Sequence, residues 1–436
     1  MCFLLLLLWW TVPALADGFL CAGSQEAPAE TILLRGVAAK PARIAESRTT
    51  GTRRTLVLFA RFKGESTPMP SWAGDIFNPD LPGSFSHFYD TMSFGKLQVR
   101  GEVAPRVYES AKPASAYLSG NSSAQGQFGQ FAQEILRQAD AGIDFAQFDN
   151  DGPDGIPNSG DDDGVVDAVF LVLDKIPGDF LQGEATGISR LGFTEVFLSA
   201  DTGRRGKSLQ IFPSQGTTQQ GRSFAEAMGA MCHEYGHVLG LPDLYNTDFF
   251  QQTGAGPEAD GAGVGAWCLM GWGASGWNGN DGPNSFCAWS RMKLGWSPVL
   301  SLAYEREQLE LKDVGQGGAI YQLPVNDRES FLVEYRRRDS NYYDRHIPAE
   351  GVLVWHISQR PQLESEGSLQ QVDLECADGR WQDAGYPQGK QPDSAQGGDD
   401  LDFWSHDDSY AHAHAGNLGD ATDPFDGVRF TAFTIP

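Results

Sequence analysis

The chain has 436 residues, 32 of them Lys or Arg and 57 Asp or Glu, for a formal net charge of -25. Phosphate-rich surfaces would repel such a protein, which excludes nucleic-acid and anionic-membrane partners and suits an exported, aggregation-resistant one. Beyond the N-terminus no run is long and apolar enough to span a bilayer, so stable membrane insertion is excluded and the mature chain is expected to be soluble.

Cys2 to Trp10 is a short apolar run followed by Ala14-Leu15-Ala16, the pattern of a secretory signal peptide cut before Asp17. No Lys or Arg occurs before Arg35, a departure from the usual basic start. Residues 17–51, rich in Ala, Glu, Arg and Pro, read as a propeptide or tether. From it, Cys21 or Asp17 are candidates to block a metal site until removed, although no inhibitory residue is singled out. Thr55 to Phe62 opens the folded unit as a strand, Leu97 to Val103 is a second, and Phe128, Phe131, Ile135 and Ala139 recur at helical spacing.

The densest acidity is FDNDGPDGIPNSGDDDGVVDAVFLVLD, Phe148 to Asp174. Its Asp149, Asp151, Asp154, Asp161, Asp163 and Asp167 alternate with Asn and Gly, so a sharply bent loop offers several hard oxygens to Ca²⁺. Asp162 belongs to the same run, and Asp167 stands in for the absent closing glutamate. The opposing reading is an exposed acidic turn that binds nothing. Val165 to Leu173 is a buried strand anchoring the loop, and Thr194 to Ala200 is another.

A helix is predicted over Phe224 to Leu239, and within it stands His233-Glu-Tyr-Gly-His237. Residues four apart share a helix face, so both histidines can turn a ring nitrogen to one Zn²⁺. Glu234 is the candidate general base for the attacking water. A catalytic zinc needs a third protein ligand beyond this helix. Gly240 can take a positive φ and end it, turning the chain back so that Asp243 arrives as that ligand. Glu258 is the alternative source.

The run HEYGHVLGLPDLY resembles the zinc motif of secreted bacterial metalloproteases of the immune inhibitor A type, and is similar to the shorter metzincin-like snapalysins. Their pattern is H-E-x-x-H-x-x-G-x-x-D, with aspartate where most metzincins carry a third histidine. The resemblance implies His233, His237 and Asp243 as zinc ligands and Glu234 as general base. It extends to FSHFYDTMSFGKLQVRGEV, to GAWCLMGWGASGWNGNDGPNSFCAWSRMKLGW, and to FLVEYRRR and GVLVWHIS, covering most of residues 52 to 436. By position it makes Met270 a methionine turn beneath the metal, a support rather than a ligand, and similar acidic loops occur in that family.

The implied fold is α+β: a metzincin-like catalytic domain over 52–296, with a mixed sheet, the active-site helix and the methionine turn. Over 297–436 a β-rich lower subdomain of the same unit follows, from LSLAYEREQLELKDV, AIYQLPV, SFLVEYRRR and GVLVWHIS. Val428 to Ile435 also reads as a strand. Removing the signal peptide leaves Cys21, Cys232, Cys268, Cys287 and Cys376, an odd number; a 232–268 disulfide is one pairing, with 287 and 376 as competing partners. Tyr245 is a candidate oxyanion partner that otherwise packs beside Asp243, and His356 a candidate cleft wall. His406, His412 and His414 read as a solvated loop. The function expected is a secreted zinc endopeptidase acting on proteins or peptides. The alternatives are a catalytically silent zinc-binding adhesion module and a zinc hydrolase of non-peptide substrates.

Overall fold

The computed structural model describes Cys21 and residues 49–121, 124–183, 185–204, 206–245, 263–302, 309–358, 372–377, 418–421 and 423–432. The signal peptide, the body of the 17–51 segment, Glu258, His406, His412 and His414 lie outside the described residues. Among the described residues no helix is long and apolar enough to cross a membrane.

The architecture is mixed α+β. The central sheet contains β1 (Gly51–Arg61), β2 (Leu97–Val103), β3 (Tyr108–Glu109), β4 (Ala168–Leu173), β5 (Gly187–Ile188) and β8 (Gly216–Gln220). Its order is β2-β1-β4-β8-β5 with β3 also on β1, and every pairing is parallel except β5 with β8, so β5 is an antiparallel edge strand. Helices α1 (Phe85–Met92) and α3 (Phe224–Val238) cover one face and α2 (Phe128–Asp140) the other. β1 shows why: Val57 and Phe59 enter the core beneath α1 and α3, whereas Leu56, Leu58 and Ala60 enter the core beneath α2. A strand buried on both faces reads as the continuous apolar run TLVLFA rather than an alternating one. β6 (Phe197–Thr202) and β7 (Ser208–Ile211) form a separate hairpin.

After α4 (Ala288–Lys293), β9 (Val299–Ser301), β10 (Ile320–Pro324), β11 (Glu329–Arg336), β12 (Gly351–Ser358) and β13 (Val372–Leu374) build a second sheet in the order β13-β12-β11-β10-β9. Its inward residues Leu332, Leu353 and Trp355 join the same hydrophobic core as α1 and α3. β11 also contributes Arg336, fully buried, which donates to the carbonyls of Trp267 and Phe286 at 2.8 and 3.0 Å and to Glu334 at 2.6 Å. The second sheet therefore grips the segment that runs beneath α3.

Several expected elements differ. β4 begins at Ala168 rather than Val165, because Asp167 N–H is drawn to the Phe148 carbonyl at 2.7 Å and the acidic loop continues to that point. Thr194 to Val196 stays outside β6, which runs on to Thr202. Of the 300–314 run, only its first two residues lie in a described strand, β9. Val428 to Phe430 is not a strand: the N–H groups of Val428, Arg429 and Phe430 all turn onto Asp426 Oδ1. Among the described residues no cysteine forms a disulfide. Cys268 lies instead against Cys287, whose N–H donates to its sulfur at 3.2 Å, so the 232–268 pairing is not formed.

Candidate active site

Ser223 caps α3, its Oγ accepting from Glu226 N at 3.3 Å, and the helix runs to the C-cap Leu239. Gly240 follows with φ +94°, and its N–H and that of Leu241 bond back to the carbonyls of His237 and Gly236 at 2.8 and 3.0 Å. This left-handed stop suits glycine, and it turns the chain so that Asp243 comes back under the helix.

His233 Nε2 and His237 Nε2 lie 3.1 and 3.3 Å from the same atom, Asp243 Oδ1. Each Nδ1 faces a backbone carbonyl at 2.8 Å, Leu269 O for His233 and Leu241 O for His237. A carbonyl can only accept, so Nδ1 carries the proton and each Nε2 is left as the inward-facing donor atom. The rings cross at 81° with centroids 4.9 Å apart. All three side chains are no more than 3% exposed.

Leu269 and Met270 are the central residues of a turn closed by Gly271 N on Cys268 O at 3.0 Å. The Leu269 carbonyl holds His233, and the Met270 carbonyl accepts from Leu244 N at 2.8 Å, fixing the chain just past Asp243. Helix and turn meet where α3 lacks side chains. A Cβ on Gly236 would lie 2.5 Å from Met270 Sδ, and one on Gly229, two turns earlier, 2.0 Å from Ala274 O.

Burial disfavours charge on His237, but Asp243 against its ring and Glu234 beside it outweigh that and push its pKa up to about 9. Burial would raise Asp243, yet His237 and His233 hold it well below the usual carboxylate range. Both shifts arise because a carboxylate and two imidazoles crowd one buried point, a position where a divalent cation would balance the carboxylate charge. Cys21 Sγ joins it, 3.6 Å from His237 Nε2. One donor atom from each of Cys21, His233, His237 and Asp243 lies within 4.8 Å of the others. Two imidazoles, a carboxylate and a thiol are donors suited to zinc, so the residues present fit that ion.

Glu234 is fully buried, and its carboxylate oxygens make no close hydrogen bond among the described residues, with the Cys21 thiol as the side-chain donor that faces them. Burial raises its pKa, countered by His237 and His233. Its backbone carbonyl accepts from Ser189 Oγ at 3.1 Å, tying the helix to the β5 edge. Tyr245 lies beside Asp243, Cys21 and Glu234; burial first, then those acidic groups, raise its hydroxyl well above the usual tyrosine range. Its ring centroid is 5.2 Å from that of Trp272. His356 is not brought to the site: it stacks on Phe331 with centroids 5.0 Å apart and faces Glu375.

The acidic loop gathers a different set from the one its spacing suggests. Asp149, Asp151 and Asp162 present oxygens within 4.8 Å of one another. Asp154, Asp161 and Asp163 are exposed and engaged locally, on Ile156 N, Ser159 and Val165 N respectively, while Asp167 Oδ2 accepts from Arg54 N at 2.7 Å. Asp162 is buried because its carboxylate organises the loop, accepting from Asp151 N, Gly152 N and Ser159 N. Asp149 Oδ1 and Asp151 Oδ1 are buried without hydrogen-bond partners among the described residues. Burial, then Asp163, Asp162 and Asp151, push Asp149 up to about 7.

Residues 75–297 match the family model "Immune inhibitor A peptidase M6, catalytic domain", a span that takes in the zinc-type helix, Asp243 and the turn at Met270. The chain belongs to the M6 family of metallopeptidases. Among curated proteins it is similar to the pre-pro-metalloprotease PrtV of Vibrio cholerae serotype O1 (strain ATCC 39315 / El Tor Inaba N16961), 30% identical over 229 residues, which are 48% of this chain and 23% of that protein. It is also similar to immune inhibitor A of Bacillus thuringiensis subsp. alesti, 26% identical over 254 residues, 51% of this chain and 34% of that protein. The matched region thus spans about a quarter to a third of the length of these relatives.

Proposed function

We propose that the chain is an exported zinc endopeptidase that hydrolyses peptide bonds of proteins. The observation that carries this reading is the convergence of His233 Nε2, His237 Nε2 and Asp243 Oδ1 beside Glu234, a fully buried carboxylate. His233, His237 and Asp243 would hold the metal. When bound, it supplies Lewis acidity that polarises the scissile carbonyl and lets water be deprotonated near neutral pH.

The remaining work falls to the chain. Glu234, in surroundings that raise its proton affinity, takes the proton of the attacking water and returns it to the leaving amine. The protonated Nδ1 atoms, held by the Leu269 and Leu241 carbonyls, keep both imidazoles in the ligating tautomer. The turn at Met270 acts as the platform under His233, with Gly236 and Gly229 allowing its close approach. Tyr245, protonated and hydrogen-bonded beside Asp243, would turn its hydroxyl to a developing oxyanion. β5 is the sheet edge nearest the cluster, where an extended substrate backbone would add.

Two further parts belong to this reading. Residues 1–16 serve as signal peptide and 17–51 as propeptide, in keeping with the "pre-pro" in the name of the Vibrio relative; 52–296 carry the catalysis and 297–436 the supporting β-rich subdomain. Asp149, Asp151 and Asp162 would hold Ca²⁺, whose charge would offset the burial and the carboxylate repulsion that raise Asp149. The test is digestion of casein by the segment-cleaved chain with and without a zinc chelator. Chelator-reversible cleavage is expected. Stoichiometric zinc with no peptide-bond cleavage on any protein substrate would contradict it and favour a silent binding module or a non-peptide hydrolase.

A further inference from the structure

Cys21 is the described residue of the N-terminal segment that meets the metal site. It lies 216 positions before His237 in the chain, yet its sulfur is 3.6 Å from His237 Nε2 and its side chain is 2% exposed. Its backbone forms a parallel bridge with Gly187, so Cys21 itself sits against the edge of β5. A buried thiol alone is an ordinary core residue. Here, however, it is the fourth member of a donor cluster otherwise made of His233, His237 and Asp243. The same centre also holds Glu234, fully buried, whose oxygens make no close hydrogen bond among the described residues and face the Cys21 thiol as a side-chain donor.

We propose that Cys21 is a fourth, removable protein ligand of the metal centre, which holds the enzyme latent. This rests on the reading of the site as a catalytic zinc centre. Zinc that keeps an open position is catalytic, whereas zinc closed by four protein ligands is inert. On coordination the thiol gives up its proton to solvent and the thiolate takes the position that the reactive water needs. Nothing is oxidised or reduced. Glu234 then has no water to deprotonate, and the β5 edge, occupied at Gly187, is closed to substrate backbone. A signal-peptidase cut before Asp17 leaves this ligand in place. A cut between Cys21 and the start of β1 at Gly51 severs it from the catalytic unit and opens the site.

The experiment uses the full chain with its N-terminal segment intact, thiols reduced, loaded with Co²⁺. Wild type should bind one cobalt and show a near-ultraviolet thiolate-to-cobalt charge-transfer band. Cys21→Ser should bind the same amount of cobalt and lose the band. With zinc instead, intact Cys21→Ser should digest casein about tenfold faster than intact wild type, or more, approaching the segment-cleaved form. A band that survives in Cys21→Ser, or a cobalt-loaded wild type without one, overturns the proposal while leaving the catalytic reading standing. A chain that takes up no metal in either form overturns both.

Discussion

Gly229→Ala on α3 sets two known effects against each other. In an exposed helix interior this change stabilises by up to about 1 kcal/mol, because alanine is the better helix former. At this position the new Cβ would lie 2.0 Å from the Ala274 carbonyl oxygen, whereas ordinary contact begins at 3.4 Å, a shortfall of 3.4 − 2.0 = 1.4 Å. The obstacle is backbone, and Ala274 is buried with Gly273 against Cys268 O, so it cannot swing aside as a side-chain tip can. Overpacking of this kind costs about 1–3 kcal/mol and outweighs the propensity gain. We expect net destabilisation of ~2 kcal/mol and a Tm lowered by ~2–4 °C, read by calorimetry. Because Gly229 is one turn before His233, lifting the helix by about 1 Å should also lower kcat/KM roughly 10²-fold. Gly236→Ala, which meets the Met270 thioether instead, should be milder on both counts. A Gly229→Ala protein with raised Tm and wild-type activity would refute the close-contact argument.

Three further outcomes follow from other parts of the molecule. Burial, offset by its bond to Trp267, pushes Asp423 up to about 7 from a model-peptide value of 3.8, so the folded state binds the extra proton. Stability from this group is therefore lost as pH rises from about 4 to about 7, by ~4 kcal/mol at most, and Asp423→Asn, which keeps the acceptor for Trp267 Nε1, should flatten that slope in pH-dependent urea melts. An unchanged slope would show that Asp423 does not titrate in this range. Asp162→Ala should abolish Ca²⁺-dependent thermal stabilisation, whereas Asp154→Ala should leave it intact, since only the former belongs to the converging cluster; equal effects in a Ca²⁺ titration would contradict that cluster. Arg336→Ala leaves Glu334 buried beneath Trp355 and frees two carbonyls under the site, so a loss of ~3–5 kcal/mol is expected in denaturant unfolding, and a loss below ~1 kcal/mol would count against the clamp.

How far the sequence could be read depended on whether the signal was local. The α3 helix, its glycine stop and the return of Asp243 lie within twenty residues, and each step has a residue type that dictates it, so that part was legible. The buried strands β1, β10, β11 and β12 announced themselves as apolar runs between turn residues. β3 and β5 span two residues each and carry no period to detect. The aspartate loop misled because composition shows how many carboxylates exist, not which point inward: Asp162 is fixed by three backbone N–H donors that no spacing rule reveals. Cys21 could be named as a blocking candidate but not chosen, since its partner stands 216 residues away. Likewise Arg336 was visible as one of three consecutive arginines, and only tertiary packing shows that it, rather than the exposed Arg337, is buried.

In the proposed mechanism His233, His237 and Asp243 would hold a zinc ion and Glu234 would take the proton of the attacking water. The most direct test is zinc stoichiometry and casein hydrolysis measured on the same segment-cleaved preparations of wild type, Glu234→Gln and Asp243→Ala. Expected are one zinc and full activity for wild type, one zinc with activity reduced by about 10²-fold or more for Glu234→Gln, and reduced zinc content for Asp243→Ala. Wild-type turnover by Glu234→Gln, or undiminished zinc in Asp243→Ala, would contradict this mechanism.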